Sequence, residues 1–251
     1  MNYNIYKKFF EVTLKNAGII ALRYFRNQPK SNSKQDGSIV TIADENIEKF
    51  ITTQIKKNYP THAIFGEEFS SDAKNLSEEF CFVIDPIDGT SSFASGRPMW
   101  GILLGLMHKG KPVLGAIYNP FTEELWLGIK GQKNYKSYYN NKLISSKRSN
   151  KNPNQTNIIA TTSPDLLDAK GKKLFEEIAK NLNAKKVYGG DCYNYGLLAN
   201  GYLTATFEQN LKPYDYIPLL PILWGAGIKT LDENGSEIKD FTKEVSIYCR
   251  Y

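Results

Sequence analysis

Apolar residues recur at helical spacing over residues 4 to 25. Ile5, Phe9, Val12, Ala17, Ile20 and Tyr24 stand among Lys and Asn, which predicts an amphipathic helix ended by Gln28-Pro29. A turn and a short extended piece follow over residues 34 to 41. Helical spacing resumes from Asp44 to Lys57 through Ile47, Phe50, Ile51 and Ile55. Ala63-Ile64-Phe65 is then a short strand ending at Gly66-Glu67-Glu68, and the polar stretch 70 to 79 is a surface connection. Phe80-Cys81-Phe82-Val83-Ile84 is continuous, aromatic and β-branched, as in a strand buried on both faces, and Pro86 is expected to end it by removing a donor.

From Gly101 to Gly128 three apolar runs, 102–107, 113–118 and 125–127, are separated by Lys109-Gly110 and Asn119-Pro120. They predict adjacent antiparallel strands in a large buried sheet. Residues 130 to 153 interleave Lys130, Lys133, Lys136, Lys142, Lys147, Arg148 and Lys151 with Tyr135, Tyr138 and Tyr139. Such a mixture can stack on and neutralise RNA. A hairpin of 135–139 with 143–145 around Asn140-Asn141-Lys142 is preferred, because no RNA-binding motif accompanies the charges.

Past Pro153 the texture alternates: strands at 158–161, 187–188, 203–208 and 228–231, helices at 174–182 and 192–200. This predicts a C-terminal α/β half over residues 153–251, after an N-terminal α+β half over residues 1–152. Pro213-Tyr214-Asp215-Tyr216 lies near a helix start, and Pro221 implies a kink or a later start.

At 251 residues and 41% hydrophobic the chain can bury a substantial core. No apolar run approaches membrane length and the first residues lack a signal peptide's apolar core, so a cytoplasmic protein is expected, with no membrane partner. Cys81, Cys192 and Cys249 are odd in number and far apart, which suggests neither a disulfide framework nor a zinc site. The net charge of +6 is spread as Lys among Asn, so nucleic acid is not the expected partner.

The candidate chemistry lies where elements end. Asp85-Pro86-Ile87-Asp88-Gly89-Thr90 delivers two carboxylates and then a glycine that permits close backbone approach. If Ser91 or Ser92 opens a helix, its free N–H groups favour an anion at the same place. Crowded carboxylates repel unless a cation lies between them, and hard oxygen ligands suit Mg²⁺ better than zinc. Asp44, by itself, is a helix cap, and Glu67 a loop acid. With Asp85, Asp88 and Asp215 they make five acids at element boundaries. Converged, they would cage two or three Mg²⁺ ions for hydrolysis by activated water, without a covalent intermediate. His62 and His108 lie in no phosphatase motif, Cys192 lacks a phosphate-clamping Arg, and the three-residue Asp spacing does not suit an aspartyl nucleophile with a proton-transferring partner.

Gly66-Glu67-Glu68, Asp85-Pro86-Ile87-Asp88-Gly89-Thr90 and Tyr214-Asp215, in that order, resemble the inositol monophosphatase superfamily of Mg²⁺-dependent, lithium-sensitive phosphatases. The resemblance spans nearly the whole chain. It implies a five-layered αβαβα sandwich, as in inositol monophosphatases and fructose bisphosphatases, and a homodimer. It also implies that Glu67, Asp85, Asp88, Asp215 and the Ile87 carbonyl bind metal, that Thr90 with Asp44 or Glu67 orients the attacking water, and that the Gly89 and Thr90 backbone holds phosphate. The runs 92–98, 110–115, 189–193 and 211–216 are similar to the histidinol-phosphatase branch, which has Tyr where the wider family has Trp before the last metal-binding Asp. The implied substrate is L-histidinol phosphate, a small phosphorylated metabolite of histidine biosynthesis. Asp191 and Glu208 would meet its ammonium and imidazole, beside Asp88 and Asp215. Inositol, sugar or nucleotide 3′-phosphates are the alternative substrates. A regulatory RNA- or protein-binding role on the same fold is a further alternative.

Overall fold

A computed structural model describes residues 2–27, 31–33, 39–144 and 156–251. The chain opens with a 3-10 turn, Tyr3–Tyr6, capped by the Asn2 side chain, which accepts from the Asn4 amide, and continues as helix α1, Lys7–Tyr24. The core face of α1 is Phe10, Leu14, Ala17 and Ala21. Val12, expected on that face, is 44% exposed, because Thr13 and Gly18 share the buried stripe and turn it away from Val12. Strands β1 (Ser31–Ser33) and β2 (Ile39–Thr41) pair antiparallel; the turn expected before β2 lies outside the described residues. Helix α2, Ile42–Asn58, begins two residues earlier than expected, so Asp44 lies within its first turn and is not its cap.

Strand β3, Ala63–Gly66, runs parallel to β4, Phe80–Asp88. Between them the expected surface connection holds a 3-10 turn whose Leu76 is buried. Pro86 does not end β4. The strand's pairing with β5 (Gly101–His108) passes from Asp85↔Leu103 to Asp88↔Gly101, so one extra residue bulges out of β4 there. A bulge is where a strand tolerates a proline, and β3 has already ended opposite Ile84, leaving no partner for the missing N–H. At the start of β4, Phe80 is sandwiched between His62 and His108, with ring centroids 4.7 and 4.5 Å away. Tyr6 and Tyr3 hydroxyls bond these two imidazoles, so the histidines belong to the opposite end of the strand from the acids.

After helix α3 (Thr90–Ala94) and β5 come β6 (Lys111–Asn119), β7 (Glu124–Lys130), β8 (Tyr135–Tyr139) and β9 (Lys142–Leu143), giving a seven-stranded sheet in the order β3-β4-β5-β6-β7-β8-β9. Asn140 and Asn141, both at positive φ, make the two-residue turn of the last hairpin. Its tyrosines are engaged within the fold: Tyr135 donates to the Pro112 carbonyl, Tyr139 to Glu124, and the Lys7 ammonium lies 4.5 Å over Tyr138. Lys147, Arg148, Lys151 and the expected boundary at residue 153 lie outside the described residues.

The remainder supplies β10 (Asn157–Thr161), α4 (Ala169–Asn181), β11 (Ala184–Tyr188), α5 (Asp191–Ala199), β12 (Ala205–Leu211), α6 (Pro213–Tyr216), α7 (Leu220–Gly225), β13 (Lys229–Leu231) and β14 (Val245–Arg250). The five strands order as β11-β10-β12-β14-β13, parallel for the first three. Pro221 sits in the first turn of α7, the later start of the two options the sequence allowed. Three apolar clusters set the layers: α1 and α2 on one face of the large sheet, α5 to α7 between its other face and the small sheet, and α4 outside the small sheet. The fold is the expected αβαβα sandwich. No helix among the described residues is long and apolar enough to cross a membrane.

The middle layer rests on bare backbone. Gly105, Gly115, Gly128 and Ser137 pair in one row across β5 to β8. The segment 218–222 lies in this trough: a Cβ on Gly115 would overlap the Pro218 carbonyl, and one on Gly128 the Ile222 amide. Ser137 donates to the Ile222 carbonyl at 2.5 Å. Gly128→Ala must therefore push α7 off the sheet. A loss of roughly 3 kcal/mol, about 6–12 °C in Tm, is expected by scanning calorimetry. An unchanged Tm would show that the segment does not need that contact.

Candidate active site

One carboxylate oxygen each from Asp85, Asp88 and Asp215 lies within 4.8 Å of the others. Asp85 precedes the bulge and is 1% exposed. Asp88 ends β4, and its Oδ2 accepts from the Cys192 amide at 2.5 Å, at the start of α5. Asp215 caps α6, its Oδ2 accepting from the Lys212 amide at 2.7 Å. The triplet thus joins one strand to two helices of the middle layer.

Burial and mutual charge act together here. Desolvation first, then the charges of Glu67, Asp88, Asp215 and Asp44, push the Asp85 carboxyl well above its usual range. Asp215 is raised well above its range by burial and by Asp88, against the Lys212 amide bond that lowers it. Asp88 is raised by burial, while its bonds to Cys192 work the other way. The Asp85 Oδ1 is buried with no hydrogen-bond partner among the described residues. Buried oxygens that repel one another and include an orphan are stabilised by a cation, and an all-oxygen donor set suits a hard divalent ion. The residues fit the metal that the sequence implied.

Glu67, on the turn after β3, and Asp44, buried on α2, face this group: both charges act on Asp85 and that of Glu67 also on Asp215. Neither belongs to the 4.8 Å triplet. Thr90 opens α3, one residue earlier than Ser91, behind Gly89 at φ +86, a backbone shape that favours glycine. The Thr90 hydroxyl donates to the Ile87 carbonyl at 3.0 Å.

Asp88 and Asp215 also line a cavity of about 130 Å³ with Asp191, Glu208, Thr162 and Tyr195. Asp191 opens α5 after Gly190, and its Oδ2 accepts from the Ser92 hydroxyl at 3.2 Å. A Cβ on Gly89 would come within 2.9 Å of that carboxylate. Burial and the Asp88 charge push Asp191 up to about 7. Glu208 on β12 accepts from the Thr162 amide (2.7 Å), the Thr162 hydroxyl (3.0 Å) and the Thr161 hydroxyl (3.3 Å). Burial nonetheless pushes it up to about 8.

The structure gathers the five boundary acids around one place, with Asp191 and Glu208, the two acids expected to meet a substrate, on the wall of the adjoining cavity. It adds residues that sequence reasoning missed. Glu48 is 0% exposed and accepts from the amides after Glu67; its one signal was a position one helical turn after Asp44. Ser92 was read only for its backbone, as a possible helix start, so its hydroxyl bond to Asp191 was not foreseen, and Thr162 was an ordinary polar residue until Glu208 was placed. Tyr195 carries a buried hydroxyl with no partner among the described residues, and nothing in its helical spacing marked it. The combination of clustered acids, a glycine-opened helix start and an acid-walled cavity is suited to a phosphate ester whose leaving group is rich in donors.

The inositol monophosphatase family pattern matches residues 4–249. The chain is 39% identical over 219 residues to the bifunctional phosphatase IMPL2, chloroplastic, of Arabidopsis thaliana, covering 87% of this chain but only 62% of that protein's length. It is 31% identical over 223 residues to the histidinol-phosphatase of Chlorobaculum parvum, covering 88% and 83%. Among solved structures, an inositol monophosphatase from Zymomonas mobilis superposes with a TM-score of 0.81 at 31% identity, covering 99% of this chain and 93% of that one.

Proposed function

The chain belongs to the inositol monophosphatase family of metal-dependent phosphatases, and we propose that it releases phosphate from L-histidinol phosphate in histidine biosynthesis. The observation that carries the substrate is the cavity wall. Asp191 and Glu208 stand beside the acid triplet, where an ammonium and an imidazole would each meet a carboxylate of the cavity wall, half-buried at Asp191 and buried at Glu208. An inositol offers hydroxyls alone, for which buried acids discriminate less.

In this reading Glu67, Asp85, Asp88, Asp215 and the Ile87 carbonyl would hold two or three Mg²⁺ ions. When bound, the metal supplies positive charge that polarises the phosphate and acidifies water beside it. The chain's own groups do the rest. The Thr90 hydroxyl has spent its one proton on Ile87, so its lone pairs are left to accept from the attacking water. Asp44 or Glu67 then takes that water's proton. The Gly89 and Thr90 amides hold the phosphate, while Asp191 and Glu208 hold the departing alcohol by its cationic groups. Homodimer formation and lithium inhibition accompany this reading as family expectations.

The test is phosphate release with Mg²⁺ from L-histidinol phosphate and from inositol 1-phosphate at matched concentrations, with EDTA controls. A chelator-sensitive preference of tenfold or more for histidinol phosphate is expected. Preference for inositol 1-phosphate would favour the second reading, an inositol monophosphatase, for which the likeness to the Zymomonas mobilis structure speaks.

A further inference from the structure

We propose that Glu48 is a positioning residue for Glu67: it clamps the turn that carries that carboxylate and so sets how tightly the acid cage takes a divalent cation. The inference rests on the metal-cage reading above. Helix α2 buries two acids one turn apart, Asp44 at 1% and Glu48 at 0% exposure. Like charges at this spacing oppose a helix, and burying carboxylates is costly unless they are bonded. Both acids work against stability locally, which is the kind of conflict found where function requires it.

Glu48 resolves its part of the conflict by bonding the turn after β3. Its carboxylate accepts from the Glu68 amide at 2.8 Å and the Phe69 amide at 3.1 Å. A Cβ on Gly66 would overlap the same carboxylate, so the residue before Glu67 is held against it with no side chain between. The Gly66 amide donates to the Ser70 carbonyl at 2.7 Å, closing the turn on its other side. Glu67 is thus the one residue between two backbone contacts to Glu48. Without that clamp the turn that carries the Glu67 carboxylate is less well pre-organised, and the cost of ordering it falls on metal binding, which weakens it.

Mn²⁺ titration of the full chain by calorimetry tests this without reference to turnover. Glu48→Gln keeps the shape but turns an amide NH₂ toward one of the two backbone donors. We expect Mn²⁺ affinity to fall about 10- to 100-fold, the range for groups that orient metal ligands, with kcat at saturating metal reduced less. The metal-free Tm should stay within a few degrees of wild type. Gly66→Ala should reproduce the loss, and adding it to Glu48→Ala should weaken binding little further, because both act through one contact. If Glu48→Gln does not fold, Gly66→Ala carries the test. Unchanged affinity in the variants, with normal binding by wild type, overturns the role of Glu48 alone, as do fully additive losses. Absence of binding by wild type overturns the cage reading, and the inference falls with it.

Discussion

Asp85→Asn is expected to reduce phosphate release on the order of a thousandfold while raising the Tm of the metal-free protein. The first effect follows, on the proposed cage, from loss of one of the three carboxylates that would hold the metal, about 4 kcal/mol of transition-state stabilisation. The second follows from the electrostatics: Asp85 is buried, repelled by four other acids and left with one oxygen that has no partner among the described residues. Because its folded pKa lies well above the unfolded one, the native state holds the proton over that window. Its contribution to stability therefore falls as pH rises. The Tm gain in Asn should be a few degrees near neutrality, at about 2–4 °C per kcal/mol for a chain of this size, and shrink toward pH 4. Mg²⁺ should reverse the ranking, since it stabilises wild type by binding and the variant much less. Calorimetric scans with and without Mg²⁺ and a phosphate-release assay check all three. Turnover within tenfold of wild type would remove Asp85 from the cage.

Glu208→Gln should lower kcat/KM for L-histidinol phosphate about 100-fold, near 2.7 kcal/mol for one buried charged bond, and change inositol 1-phosphate hydrolysis by less than about threefold. The pH profile is the sharper readout. Wild-type Glu208, pushed up to about 8 by burial, is neutral in mildly acidic solution and gains its charge as pH rises through that value. Selective kcat/KM for the cationic substrate should rise along this limb, which reports the free enzyme, and the limb should vanish in Gln. Stability runs the opposite way. The native state keeps this proton between the unfolded glutamate pKa, about 4.3, and about 8, so stability falls with pH there, and Gln abolishes that fall. Equal losses on both substrates would show that Glu208 supports the fold of the cavity and not the choice of substrate.

Much of the molecule was legible because its signals are local. The meander from Gly101 to Gly128 and the hairpin turn at Asn140-Asn141 depend on a few neighbouring residues, and each stands where the pattern put it, while at Pro221 the structure takes one of the two options left open, a later helix start. Convergence of Asp44, Glu67, Asp85, Asp88 and Asp215 is not local, and it became readable through the family resemblance of their motifs. Pro86 misled because its donor loss matters only if a partner strand reaches it, and β3 stops short. Strand β14 went unread although Val245, Ile247 and Cys249 alternate with Ser246, Tyr248 and Arg250, a period-two pattern beside a polar stretch. Glu48 was hidden for a different reason. A buried acid on a helix looks like a solvated one until the turn it bonds has been placed.

The glycine trough has a bearing on the order in which the molecule assembles. Its floor comes from residues 105, 115 and 128, and its occupant from 218–222, directly after Asp215. Closing so long a separation is slow, because the loop entropy is lost before the contact is gained. Until the segment seats, the large sheet can be complete while Asp215 is still away from Asp85 and Asp88. Seating of 218–222 and completion of the Asp85–Asp88–Asp215 triplet are thus expected to be one event, and the rate of Mn²⁺ uptake during refolding should follow the docking of that segment.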